Sequence, residues 1–65
     1  MRELAEGGLP SSGSEVVVWY DGEEHQVVIQ YDNFDNNLYA SDFLSLMYIL
    51  KSAEMDLTAE IGEDG

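Results

Sequence analysis

The sequence predicts an α+β fold, a small antiparallel β-sheet with one helix packed on it in the order ββαβ, behind a flexible N-terminal tail. Three observations lead there. Residues 16–20 (VVVWY) and 25–31 (HQVVIQY) are β-branched and aromatic runs flanking an Asp21-Gly22 turn signal. Phe43, Leu46, Met47, Leu50 and Ala53 recur at the i, i+3, i+4, i+7 spacing of a helix. Leu57, Ala59 and Ile61 alternate with Asp56, Thr58 and Glu60, the period of a third strand.

In chain order, residues 1–14 read as a tail, because Gly7, Gly8, Pro10, Ser11, Ser12, Gly13 and Ser14 are turn and linker residues. A two-residue loop after the first strand pairs Tyr20 with Glu23; a four-residue loop pairs Tyr20 with His25. Both have the same parity. Val16, Val18, Tyr20, His25, Val27, Ile29 and Tyr31 therefore share the core face, and Val17, Trp19, Glu24, Gln26, Val28 and Gln30 the other. Residues 32–37 (DNFDNN) form a polar loop, Ser41 stands where an N-cap belongs, and Asp42 favours the helix dipole. The folded unit is expected over 15–61, with a frayed acidic terminus at 62–65.

Charge sets the functional bounds. Fourteen carboxylates face two basic residues, for a net charge of -12, and no Lys or Arg lies between Glu3 and Leu50. Self-repulsion on this scale opposes the compact state. It points to a strongly positive partner of the kind that neutralises phosphates with Lys and Arg. A compact 65-residue domain has a radius of gyration of roughly 11 Å, and duplex DNA of matching length carries a comparable charge. A charged face serving solubility alone, as in adaptation to high salt, is the bland alternative. With no cysteine, neither a disulfide nor a thiolate metal site can staple so small a core. Oligomerisation is the remaining route to stability. No apolar run has the length of a membrane span and the N-terminus has no signal-peptide core, so a soluble cytoplasmic protein is expected.

The candidate partner-binding carboxylates fall into three groups: Asp21, Glu23 and Glu24 at the hairpin tip; Asp32, Asp35 and Asp42 before the helix; and Glu54, Asp56, Glu60, Glu63 and Asp64 near the C-terminus. Val17, Trp19, Val28 and Tyr48 are candidates for a hot spot or a homodimer contact, since one small core cannot bury them all. Nothing marks an enzyme. His25 has no nucleophile set beside it, and no cofactor motif occurs. Asn33, Asp35, Asn37, Tyr39 and Ser41 have the spacing of an EF-hand loop, but Leu38 replaces its glycine and Leu44 its bidentate glutamate, which removes the metal site.

The charge, the length and the acidic tip Asp21-Gly22-Glu23-Glu24 resemble, at the level of a class, the small acidic phage-encoded inhibitors of the DNA-mimic type, anti-CRISPR proteins among them. Members share charge and size rather than a diagnostic motif, so the resemblance assigns no residue a role. It implies a non-enzymatic inhibitor, active in the host cytoplasm, that occupies the basic nucleic-acid-binding groove of a CRISPR effector, glycosylase or polymerase without itself binding nucleic acid or membrane. The alternative is an interaction subunit, such as an antitoxin-like protein, or a halophile domain whose acidity serves solubility.

Overall fold

The computed structural model describes residues 1–32 and 37–62. Its elements are β1 (Arg2–Gly8), β2 (Glu15–Asp21), β3 (Gln26–Tyr31) and α1 (Ala40–Gly62). The strands form one antiparallel sheet in the order β1-β2-β3, and the helix packs on one face of it. The α+β class of one helix on a small antiparallel sheet holds, but the order is βββα.

Two segments account for the change of order. Residues 1–14 are not a tail: β1 pairs with β2, and residues 9–14 turn the chain between them. Glu3 faces Trp19 and Ala5 faces Val18, so Leu4 is the extra residue of a β-bulge, which breaks the alternation of the strand. Leu4 and Leu9 are both buried. In the turn, the Leu9 amide donates to the Ser14 carbonyl (2.8 Å) and the Gly13 amide to the Leu9 carbonyl (2.9 Å). Gly13 takes a positive φ of 77°, which suits a residue without Cβ. The second segment is 56–61, which is helical rather than a strand. Residues 43–61 contain neither Gly nor Pro, and Leu50, Ala53 and Leu57 carry the helical spacing past the point where a period of two also fits. Thus the folded unit starts at Arg2 and not at residue 15.

The second hairpin keeps its predicted faces with a different register. Asp21 pairs with Gln26 and Tyr20 with Val27, which leaves a four-residue loop, and His25 lies outside the strand. The Asp21 Oδ1 accepts the Glu23 (3.1 Å) and Glu24 (3.4 Å) amides, a local turn of the kind Asp forms. His25 closes the loop with φ of 56°, and its Nδ1 lies 3.3 Å from the Tyr20 hydroxyl.

Helix and β1 run antiparallel, fastened at three levels. Asp42, in the first helical turn, accepts the Ser11 amide on Oδ1 (2.7 Å) and the Ser12 amide on Oδ2 (3.1 Å), and is 1 % exposed. Ser41 is not an N-cap; its hydroxyl meets that of Ser11 at 2.6 Å, while the Tyr39 carbonyl accepts the first helical bond, from Phe43. At mid-length, Ile49 lies over Gly7, where an added Cβ would come within 2.7 Å of the Ile49 Cδ1. At the far end, Arg2 pairs with Asp56 (3.2 Å) and Glu60. The core between these levels is Leu4, Leu9, Val16, Val18, Ile49 and Ala53. A helix of 23 residues is roughly 34 Å long, and it stretches the molecule to 38 × 18 × 16 Å with a radius of gyration of 12.7 Å. The protein is therefore more elongated than a sphere of its length.

Two expected outcomes test these fastenings by urea denaturation. Gly7→Ala forces the buried Ile49 to shift and costs about 1–3 kcal/mol, whereas Gly8→Ala, with open space around its Cβ, stays within about 0.5 kcal/mol of the parent. Asp42→Ala strands two backbone donors and costs about 3 kcal/mol, given about 1.5–3 kcal/mol for a hydrogen bond to a charged group.

Candidate protein-binding surface

The helix covers β1 and β2, and β3 lies beyond it. Among the described residues, no layer covers the other face of the sheet. By the strand register, that open face carries the cross-strand rows Glu3–Trp19–Val28 and Glu6–Val17–Gln30, with Glu15 beside Gly8 and Asp21 beside Gln26. Trp19 is half-buried among these neighbours, and its Nε1–H donates to Gln30 Oε1 at 3.2 Å. That bond satisfies the indole donor and holds the ring against the sheet, so the centre of the face is apolar, its border acidic along β1 and at the ends of β2, and neutral along β3. Val17, Trp19 and Val28 are thus together, as their shared parity requires. Tyr48 is not with them: it is exposed on the helix, on the opposite side of the molecule.

The three predicted carboxylate groups are rearranged. Arg2 pairs with Tyr20 across the sheet, so the start of β1 lies at the same end as the 22–25 hairpin loop. Arg2 draws Asp56 and Glu60 to that end, where Asp21, Glu23 and Glu24 also stand. Asp56 and Glu60 of the third group therefore converge on the first. First Glu60 and then Asp56 raise the pKa of the Arg2 guanidinium and favour its charged form. Glu54 pairs with Lys51 at 2.7 Å along the helix. These pairs are exposed and hold little stability. Asp32 is exposed at the end of β3. Asp42 is withdrawn from any surface role, since its burial and two amide bonds make it a structural clamp. Asp35, Glu63 and Asp64 lie outside the described residues.

The residues that sequence reasoning missed are Glu3, Glu6 and Glu15, which border the open face along β1 and the start of β2. Glu3 and Glu6 were hidden because 2–8 reads as a linker: its inward positions include Ala5 and Gly7, and the bulge at Leu4 breaks the period of two, whereas Glu15 follows the parity of Val17 and Trp19 one position before the expected strand start. The available signal was Ala5, Gly7 and Leu9 in alternation with Glu6 and Gly8. Small inward residues are what a strand needs where a helix approaches closely.

Among the described residues, no group of three or more His, Asp or Glu could hold a metal ion, and no helix is long and apolar enough to cross a membrane. No family model, curated protein or solved structure matches the chain.

The charge on this surface has a measurable consequence. Glu3, Glu6, Glu15, Glu23, Glu24 and Asp32 have no basic partner at ion-pair distance, so screening relieves their repulsion. The unfolding free energy should rise by roughly 1 kcal/mol between about 0.02 and 0.5 M NaCl. The triple variant Glu3→Gln/Glu6→Gln/Glu15→Gln should show a flatter rise. A parent whose stability falls with salt would show that these carboxylates are not in mutual repulsion.

Proposed function

We propose that the protein is a non-enzymatic inhibitor that occupies the basic nucleic-acid-binding groove of another protein. The observation that carries the reading is the border of carboxylates without basic partners, Glu3, Glu6 and Glu15, along an open sheet face with Trp19 at its centre. A groove that holds phosphates with Lys and Arg would meet negative charge at the border. Its apolar floor, where bases or sugars lie, would meet Trp19, Val17 and Val28. Aromatic residues in such a central position dominate binding energy, and surrounding charges govern encounter rate and specificity.

Magnitudes limit what kind of mimicry is involved. Along 38 Å, duplex DNA carries roughly 22 phosphate charges at one per about 1.7 Å. The net charge of -12 is about half of that. This suffices for electrostatic steering into a positive cleft but not for a phosphate-by-phosphate copy. The apolar centre supplies the affinity that charge at half density leaves missing, and it gives the inhibitor a means to distinguish one basic protein from another. The acidic tip, with Asp21, Glu23, Glu24, Asp56 and Glu60 at one end, extends the negative surface past the sheet. The target class that suits this surface is a nucleic-acid-processing or defence protein of the host, a CRISPR effector, glycosylase or polymerase.

The test uses basic host proteins retained on duplex DNA–cellulose. The protein should release a subset of them, and the released proteins should bind it in place of DNA, with affinity falling steeply as salt rises. The variants Glu3→Lys/Glu6→Lys/Glu15→Lys and Asp21→Lys/Glu23→Lys/Glu24→Lys should each weaken that binding by more than tenfold, because several exposed pairs at about 0.2–1 kcal/mol each turn from attraction to repulsion. Trp19→Ala should weaken it with an unchanged salt slope. If nothing is released, or if a captured protein holds DNA and this chain together, the acidic face serves an interaction subunit or solubility and the mimicry reading fails.

A further inference from the structure

The described carboxylates spare one edge of the molecule. β3 is an outer strand of the sheet, and its residues Gln26–Tyr31 (QVVIQY) contain no charge, in a chain with fourteen carboxylates. Apart from Tyr31, which packs against the core, its side chains are exposed on both faces: Val27 is 46 % and Ile29 44 % exposed on the helix side, and Val28 is 39 % exposed on the other. Beside it the helix flank leaves an open apolar groove of about 210 Å³, in which Val27 faces Leu50 and Leu57. Natural sheets protect such edges with charge, proline or a bulge. The opposite edge has these protections, since β1 carries Arg2, Glu3, Glu6 and the bulge at Leu4. β3 has none of them.

We propose that β3 is the interface with a second copy of this chain, paired antiparallel about a two-fold axis to give a continuous six-stranded sheet. The symmetry requires residues i and j to pair with i + j even, so that either Val28 or Ile29 meets its own counterpart at the axis. In both registers Val27, Val28, Ile29 and Gln30 find uncharged neighbours. Both helices then lie on the same side, and the uncovered Val27 and Ile29 of the two copies close on each other between them. Association stops at two because the outer edges of the dimer are the protected β1 strands.

The high charge does not forbid this pairing, and distance decides why. Strands are about 4.8 Å apart, so the two β1 strands stand five spacings, roughly 24 Å, from each other across the dimer. That is about three Debye lengths at physiological ionic strength. Glu3 and Glu6, which border the open face, therefore scarcely feel their symmetry mates. Among the described residues, like charges come close at the ends of the new ladder, where Asp32 of one copy approaches the hairpin tip of the other, and beside the groove at Glu54, whose charge Lys51 offsets. Added salt should consequently strengthen the dimer, while it weakens binding to a basic groove. The two proposals thus fail separately.

A cysteine-free chain makes the test direct. Cβ atoms of directly opposed residues lie about 4.5–5.5 Å apart, so a single Val28→Cys or Ile29→Cys variant at the axis can form a disulfide with its own mate. At about 10 µM protein, at least one of the two should cross-link to a dimer within minutes of mild oxidation, and Glu6→Cys on β1 should not. Sedimentation equilibrium of the wild-type protein should show a dimer whose dissociation constant falls as NaCl rises. Ile29→Lys and Val28→Lys should raise that constant at least tenfold with the circular dichroism of the helix retained. If a lysine variant loses its helix, the cross-linking result decides. A wild-type protein that stays monomeric at about 200 µM in 0.5 M NaCl, or equal cross-linking from β1 and β3, overturns the proposal.

Discussion

The Asp42 carboxylate sets the geometry on which the other surfaces depend. It is a charged group at 1 % exposure, and such a group is tolerated only when it is fully hydrogen-bonded. Here the Ser11 and Ser12 amides satisfy it, and the amino end of α1 adds a favourable dipole. The bonds are made to backbone, thirty residues away in sequence, so they fix the helix start to the first hairpin whatever the side chains of the serines do. With that end set, Ile49 falls over Gly7, and Arg2 at the far end of β1 reaches Asp56 and Glu60. The helix is thereby committed to β1 and β2. One helix is about 10 Å across and a strand spacing about 4.8 Å, so a helix placed over two strands leaves the third uncovered. Exposure of β3 follows from the position of the clamp.

The hairpin 15–31 and the helix from Asp42 to about residue 55 were legible, because β-branched runs at period two and apolar residues at period 3.6 are strong local signals. The faces of β2 and β3 were legible even though the position of the loop was not, since both candidate registers and the observed one share the same parity. Two features escaped for separate reasons. β1 has a bulge at Leu4 and small residues at Ala5 and Gly7, so its inward face has no apolar periodicity; the small residues are there because Ile49 fills the space above them. Residues 56–61 fit either period over six positions, and the choice was made by tertiary contact, with Leu57 packed against the core and Asp56 and Glu60 paired to Arg2. The candidate site suffered accordingly. Its apolar centre, Trp19 with Val17 and Val28, could be read from strand parity, whereas Glu3 and Glu6 could not be read before β1 was known to exist. Asp42 was misread as surface because a carboxylate in a first helical turn usually faces water; nothing local reveals that a distant loop will present two amides to it.

Salt would act with opposite sign on the two proposed associations, which engage different edges of the fold and share Val28. Described carboxylates without basic partners border the open sheet face and its tip end, while β3 is neutral and the helix flank beside it apolar. A cationic groove would engage the first surface and lose affinity as ions screen it. A second copy would engage the neutral edge and gain as the same ions suppress repulsion between hairpin tips and Asp32. Pairing through β3 leaves the open face of each copy unobstructed and places the two Trp19 rows on one side of the extended sheet. The surface proposed to enter a basic groove would then double in length without new contacts inside either copy. For a chain with half the linear charge density of DNA, length is the remaining way to compete with a duplex: a longer negative surface engages more of a basic groove at once, and the two halves act as linked binding modules whose joint affinity exceeds that of either alone.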